Sequence, residues 1–235
     1  MNAEILCVGT ELLLGDIINT NAQYLSRELA SLGISVFFQT VVGDNENRLL
    51  QAYKTAFERS DIVITTGGLG PTDDDLTKEV GAKFFNKELI LHEDILEGIR
   101  SFFKKIDHVA GHNNYKQAYF PIDSVILENL NGTAPGCMIE DGDKMLFMLP
   151  GPPKEMKPMF ENQVRPLLEK KSKGTYYSKT LRICGIGESN AEDMLEEVFK
   201  DQTNPTLALY AKTFEVHLRI TASAKSKEEA LNLIE

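Results

Sequence analysis

Short β-branched runs alternate with stretches of helical periodicity through the first third of the chain, and that alternation leaves few folds open. Strands are expected over 4–8 and 61–66, with a buried strand over 34–42 between them, and helices over 20–32 and 48–59. The first helix places Ala22, Leu25, Leu29 and Leu32 on one stripe, begins at the capping candidates Asn19 and Thr20, and stops at Gly33. Gly43-Asp44-Asn45 reads as the turn and cap before the second. Strands that alternate with helices are joined by crossovers, so the predicted class is α/β with a largely parallel sheet.

Helices continue over 76–85 and 92–105, followed by a polar helical turn near 113–119 and strands near 124–127, 136–140 and 144–149. Another helix opens after Pro152-Pro153, where proline suits a first turn. Glu169-Lys170-Lys171-Ser172-Lys173-Gly174 is polar, basic and without apolar periodicity, and reads as a domain boundary. Beyond it come a strand over 179–184, Gly185-Ile186-Gly187, a helix over 190–199 and strands over 206–211 and 214–222. A last helix from Ser226 is still amphipathic at Glu235. Two domains are therefore expected, 1–168 and 175–235, the second a small α+β unit cut short within its final helix.

Charge and cysteine usage exclude some functions. A formal charge of -10 argues against nucleic acid as the partner, because that affinity comes largely from Lys and Arg neutralising phosphates. An anion would have to be met locally, by backbone amides, a helix dipole or a bound cation. Cys7, Cys137 and Cys184 form no CxxC or Cys/His cluster, so neither a zinc site nor a disulfide framework is signalled and a reducing cytoplasm is expected. No signal peptide and no apolar run of about 18 residues is present, so no membrane partner is expected. His92, His108, His112 and His217 share no ligand or triad spacing and are given no role.

The chemistry concentrates after the third strand, in Thr65-Thr66-Gly67-Gly68-Leu69-Gly70-Pro71-Thr72. A strand, a glycine loop and a helix start can aim consecutive N–H groups at one phosphate, and can equally be a tight turn that only packs. It is neither GxxxxGK[ST] nor the GxGxxG dinucleotide fingerprint. Asp73-Asp74-Asp75 follow at once, and carboxylates beside a phosphate repel it unless a cation lies between. Helix capping is the other use of such acids, and Asp73 is assigned to it, leaving Asp74 and Asp75 for magnesium or another hard divalent ion.

Gly9-Thr10-Glu11 leaves the first strand at the same sheet edge, which brings Glu11 toward the crevice of Asp74 and Asp75 unless it is a solvated loop acid. The same geometry places Asp44, after the second strand. Asn131-Gly132-Thr133-Ala134-Pro135-Gly136 and Leu149-Pro150-Gly151-Pro152-Pro153-Lys154-Glu155-Met156 offer rigid walls for a flat ring or sugar phosphate, though such turns also occur without a ligand.

Together, Gly9-Thr10-Glu11-Leu12-Leu13-Leu14-Gly15, Asn19-Thr20-Asn21, Thr66-Gly67-Gly68-Leu69-Gly70-Pro71-Thr72, Asp74-Asp75-Leu76-Thr77, Gly132-Thr133-Ala134-Pro135-Gly136 and Leu149-Pro150-Gly151-Pro152-Pro153 closely resemble the CinA family, named for competence and damage inducibility. The resemblance implies a three-layer α/β/α sandwich of molybdopterin-binding type, followed by a KH-like domain. It implies an ADP-ribose pyrophosphatase, not of the Nudix type, giving AMP and ribose 5-phosphate with a divalent metal (Mg, Mn or Co) and potassium. Gly67, Gly68, Gly70 and Asp75, with Glu11 and Asn21, look like the ligand-binding positions of the related molybdenum-cofactor enzymes. Many members carry a nicotinamide-mononucleotide deamidase domain after these two, an activity not expected of this chain.

The candidate ligand site is therefore Gly9, Thr10, Asn21, Asp44, Thr66, Gly67, Gly68, Gly70, Thr72, Gly132, Thr133, Pro150 and Gly151, with Glu11, Asp74 and Asp75 as catalytic and metal-holding carboxylates. Alternatives are a module that binds a nucleotide or molybdopterin without cleaving it, and molybdopterin adenylyl transfer. Gly185-Ile186-Gly187-Glu188 is one residue short of a GxxG loop, and residues 170–235 carry ten basic and ten acidic side chains, so packing or homodimer formation is expected there rather than RNA binding.

Overall fold

The structure is a computed structural model that describes residues 1–105, 107–109, 111–171, 175–200 and 202–235. It divides into two compact units, Met1–Leu29 with Ser35–Lys170, and Lys171–Glu235 with Ala30–Ile34. The chain begins with β1 (Asn2–Val8), α1 (Thr10–Leu14), α2 (Thr20–Ser31), β2 (Ser35–Val42), α3 (Glu46–Arg59), β3 (Ile62–Thr66) and α4 (Thr77–Phe84). It continues with β4 (Leu89–Leu91), α5 (Glu93–Lys105), a 3-10 helix (His112–Ala118), β5 (Tyr119–Pro121), β6 (Val125–Leu127), β7 (Gly136–Asp141), β8 (Lys144–Leu149) and α6 (Pro153–Met159). A π-helical turn, Phe160–Val164, then leads into α7 (Arg165–Lys171).

Six of these strands form one sheet in the order β2-β1-β3-β8-β7-β6. The four from β2 to β8 are parallel, and β7 and β6 add antiparallel pairs at the far side. The pleat sends alternate side chains to opposite faces. Leu6, Val8, Val63, Leu146 and Met148 join Leu49, Tyr53, Ala56 and Phe57 of α3 and Val80 of α4 in one core. On the opposite face Cys7 reaches Asn19 at the start of α2, whose Ala22, Leu25 and Leu29 are buried. Central strands covered on both faces read as continuous apolar runs, as Ile62-Val63-Ile64 does at the start of β3, whose five residues are all buried.

The expectation of a buried strand at 34–42 needs correction. β2 is the edge of the sheet, and Phe37 and Phe38 are exposed. Apolar content alone does not distinguish an edge from a centre. The helix α1 and the small β4-β5 ribbon were not expected; each of these elements has five residues or fewer, too short for periodicity to register. The segment read as a domain boundary is helical through Lys171, and Ser172, Lys173 and Gly174 lie outside the described residues.

The second unit carries β9 (Thr175–Cys184), α8 (Glu188–Met194), α9 (Glu196–Phe199), β10 (Thr206–Lys212), β11 (Glu215–Ala224) and α10 (Lys227–Ile234). Its antiparallel sheet has the order β10-β11-β9, and Ala222, Ala230 and Ile234 anchor α10 to it. The single helix expected over 190–199 is two short ones that meet at Leu195. Ser226 caps α10 by accepting from the Glu229 N–H. Among the described residues no helix is long and apolar enough to cross a membrane.

Candidate functional site

Val8, Thr66 and Leu149 end the neighbouring parallel strands β1, β3 and β8, so the loops that follow them emerge at one sheet edge. Two loop amides extend the ladders by one bond each: Gly9 N–H donates to Val42 O and Gly67 N–H to Leu149 O, both at 3.0 Å. Gly67 has φ +105°, and a Cβ there would fall onto the carbonyl oxygen of Val8, so only glycine lets β3 turn this close to β1. The Thr77 hydroxyl then fixes the turn, donating to Gly67 O at 2.8 Å, while Thr77 N–H donates to Gly68 O at 3.1 Å. Among the described residues the N–H groups of Gly68, Leu69 and Gly70 have no acceptor in the protein. Three such amides in succession make a cradle for an anion.

The cradle opens into a cavity of about 580 Å³, within the size range of small-molecule sites. Glu11, Asp44, Asp74 and Asp75 line it, with Gly9, Gly67, Gly68, Gly70 and Thr72 along the loops. Gly132, Thr133, Pro150 and Gly151 line it from the loops before β7 and after β8. Thr10 does not line the cavity; its N–H and hydroxyl both donate to Asp44 Oδ2 at 2.8 Å and hold that carboxylate in place. Asn21 and Thr66 line an adjoining recess of about 440 Å³ that shares Val8, Glu11, Gly151 and Pro152 with the larger cavity. The Asn21 amide donates to Thr66 Oγ1 at 2.9 Å and to Gly151 O at 2.7 Å, tying α2 to the loop after β8.

The acidic run is ordered around one hydroxyl. Thr72 Oγ1 lies 2.5 Å from both Asp74 Oδ1 and Asp75 Oδ2, and Thr72 N–H donates to Asp75 Oδ2 at 3.0 Å. A hydroxyl has one hydrogen, so only one of its two short contacts can be a hydrogen bond from Thr72 at any moment. The Thr72 hydroxyl, the loop amide and the nearby Lys116 hold Asp74 below the usual carboxylate range. A Cβ on Gly70 would meet the Asp75 carboxylate, so the glycine is what lets the loop pass behind it. Asp73 does not cap α4: the residue before that helix is Leu76, with no side-chain cap bond. Of the N–H groups in the first turn, that of Thr77 is met by Gly68 O.

Several lining residues stand outside the candidate ligand site read from the sequence. Phe102 and Phe103 come from α5, Gln117 from the 3-10 helix, and Lys154 and Glu155 from the start of α6. The Asn129 amide donates to Glu155 Oε2 at 2.8 Å and to Ala134 O at 3.0 Å, which fixes the loop through Gly132 and Thr133. The loop from Leu149 to Met156 is expected as a wall, but its spacing does not single out Glu155 as a side chain that turns inward. Among the described residues no three His, Cys, Asp or Glu side chains converge as a metal cage. Cys7 and Cys137 are buried free thiols, and burial raises the pKa of both, Cys137 to about 12.

The family model described as a probable molybdopterin binding domain matches residues 4–170, and that of the damage-inducible protein CinA KH domain matches 178–235. A CinA-like protein of Dictyoglomus turgidum is 60% identical over 235 residues, and a Clostridium tetani protein named for competence-damage inducibility is 59% identical over 234. This chain is matched over 100% of its length and spans 57% of each of those relatives. The crystal structure of a CinA protein of unknown function from Thermoplasma acidophilum is 36% identical. It superposes with a TM-score of 0.65, covering 71% of this chain and 97% of that one. The chain belongs to the CinA family, with an α/β domain of the molybdopterin-binding type and a KH-like domain after it.

Proposed function

We propose that the cavity of the first unit hydrolyses the pyrophosphate of ADP-ribose to AMP and ribose 5-phosphate with the help of a divalent metal. The observation that carries this reading is the cradle of acceptor-free amides from Gly68 to Gly70 beside two carboxylates crowded onto one hydroxyl. Such amides suit a phosphate, and such carboxylates suit a hard cation between them and it. Asp74 and Asp75 would hold the metal, which when bound neutralises phosphate charge and polarises the P–O bond. Glu11 accepts a proton from the attacking water as its oxygen adds to one phosphorus and the bridging P–O bond breaks. Magnesium, manganese and cobalt are the divalent ions to supply, with potassium as a second cofactor.

Release of AMP from ADP-ribose plus metal is the direct assay. Changing Asp74→Asn and Asp75→Asn together is expected to lower kcat at least about a hundredfold, a loss of the order of one metal-ligating group. Full activity in that double variant would remove the carboxylates from the mechanism.

The absence of a three-donor metal cage among the described residues favours a second reading, a module that binds a nucleotide or pterin without turnover. Calorimetry separates the two: the module binds ADP-ribose or molybdopterin tightly and releases no AMP with any metal. Molybdopterin adenylyl transfer would instead consume ATP and molybdopterin together.

A further inference from the structure

The acidic loop is held from behind by a side chain that no motif contains. Lys116, on the 3-10 helix, donates its ammonium to Asp75 O at 2.6 Å and to Thr72 O at 2.8 Å, 41 and 44 residues away in sequence. These are the carbonyls of the residues at either end of the Asp74 turn. Glu79 lies 3.5 Å from the same ammonium, and a partly exposed pair of that kind contributes little. The two carbonyl bonds are short and charge-assisted, and they fix the backbone between them.

Lys116 is itself anchored. The Lys78 ammonium, buried in α4, donates to Gln117 O at 2.7 Å and to Lys116 O at 3.3 Å, and lies 4.1 Å from the centre of the Phe120 ring. Two lysines therefore act in series. Lys78 pins the backbone of the 3-10 helix to α4, and Lys116 pins the acidic loop to the 3-10 helix. Lysine suits both places because its ammonium offers several donors to more than one carbonyl.

We propose that Lys116 is a positioning residue: by clasping Thr72 O and Asp75 O it sets the backbone that aims Asp74 and Asp75 at one cation. The proposal rests on the metal reading of the site given above. It also has an opposite in simple electrostatics, which makes it testable by sign. If Lys116 were only a nearby positive charge, removing it would relieve repulsion and tighten cation binding. If it positions the carboxylates, removing it loosens cation binding although a like charge has gone.

The experiment measures Mn²⁺ binding by calorimetry, without nucleotide, for the whole chain and for Lys116→Met and Lys116→Arg. The methionine variant is expected to bind Mn²⁺ about tenfold more weakly and the arginine variant close to the parent. Equal or tighter binding by a folded methionine variant overturns the proposal. Lys116→Gln, which keeps donors and loses the charge, replaces the methionine variant if that one does not fold. Should the parent itself bind no Mn²⁺, the metal reading fails and amide hydrogen exchange still tests the clasp. Exchange from Thr72 to Asp75 is then expected to accelerate in Lys116→Met and recover in Lys116→Arg, and unchanged exchange overturns it.

Discussion

Lys78 is the residue where burial and charge conflict most plainly. Burial lowers its pKa from 10.5 to about 8, while the two carbonyls and the Phe120 ring keep its position occupied by a cation or amine donor. Between those two values the unfolded chain holds a proton that the folded chain has released, so raising pH through this window favours the folded state. Below pH 8 both states are protonated and the cost of the buried charge is constant. A Lys78→Met variant lacks the titration. Measured by urea unfolding, the stability of the parent relative to that variant is expected to rise by about 3 kcal/mol between pH 8 and pH 10.5. A difference that stays flat across the window would mean that the buried amine does not titrate there.

At the scale of elements, the crossover pattern was legible because β1, α2, α3 and β3 each carry a full period of their own apolar signal. What stayed hidden depended on partners distant in sequence. The edge position of β2 follows from sheet order, and Phe37 and Phe38 look as apolar in the sequence as any core pair. Lys116 turns toward the acidic loop because the 3-10 helix delivers it there, and its neighbours in sequence announce nothing; Glu155 follows a legible proline loop, but its bond with Asn129 depends on a partner 26 residues away. Asn21 shows how one side chain can join elements. Both of its bonds, to Thr66 Oγ1 and Gly151 O, are given by the amide nitrogen, while Thr66 itself donates to Pro150 O at 2.8 Å. Asn21→Asp keeps shape and removes both donors, setting a carboxylate against a carbonyl. It is expected to destabilise the chain by about 2–4 kcal/mol, more than Asn21→Ala does, as read from thermal unfolding at neutral pH. If the aspartate variant proved the more stable of the two, the amide bridge would not be what ties α2 to the loop after β8.

Across the whole molecule, charge determines how an anion can enter. The chain carries -10, and the cavity is lined by Glu11, Asp44, Asp74, Asp75 and Glu155 against Lys154. A pyrophosphate approaching such a wall is repelled at long range, and what holds it is short-range: amides from Gly68 to Gly70, and a cation on the carboxylates. Added salt screens the long-range repulsion and leaves contacts at bonding distance largely intact. With metal saturating, KM for ADP-ribose is therefore expected to fall as sodium chloride rises from about 0.01 M to about 0.15 M, where the screening length shrinks from roughly 30 Å to roughly 8 Å. A site that grips phosphate with lysines and arginines behaves the other way, because salt weakens those pairs. A KM that climbs with salt would thus place the phosphate against basic side chains and away from the glycine loop.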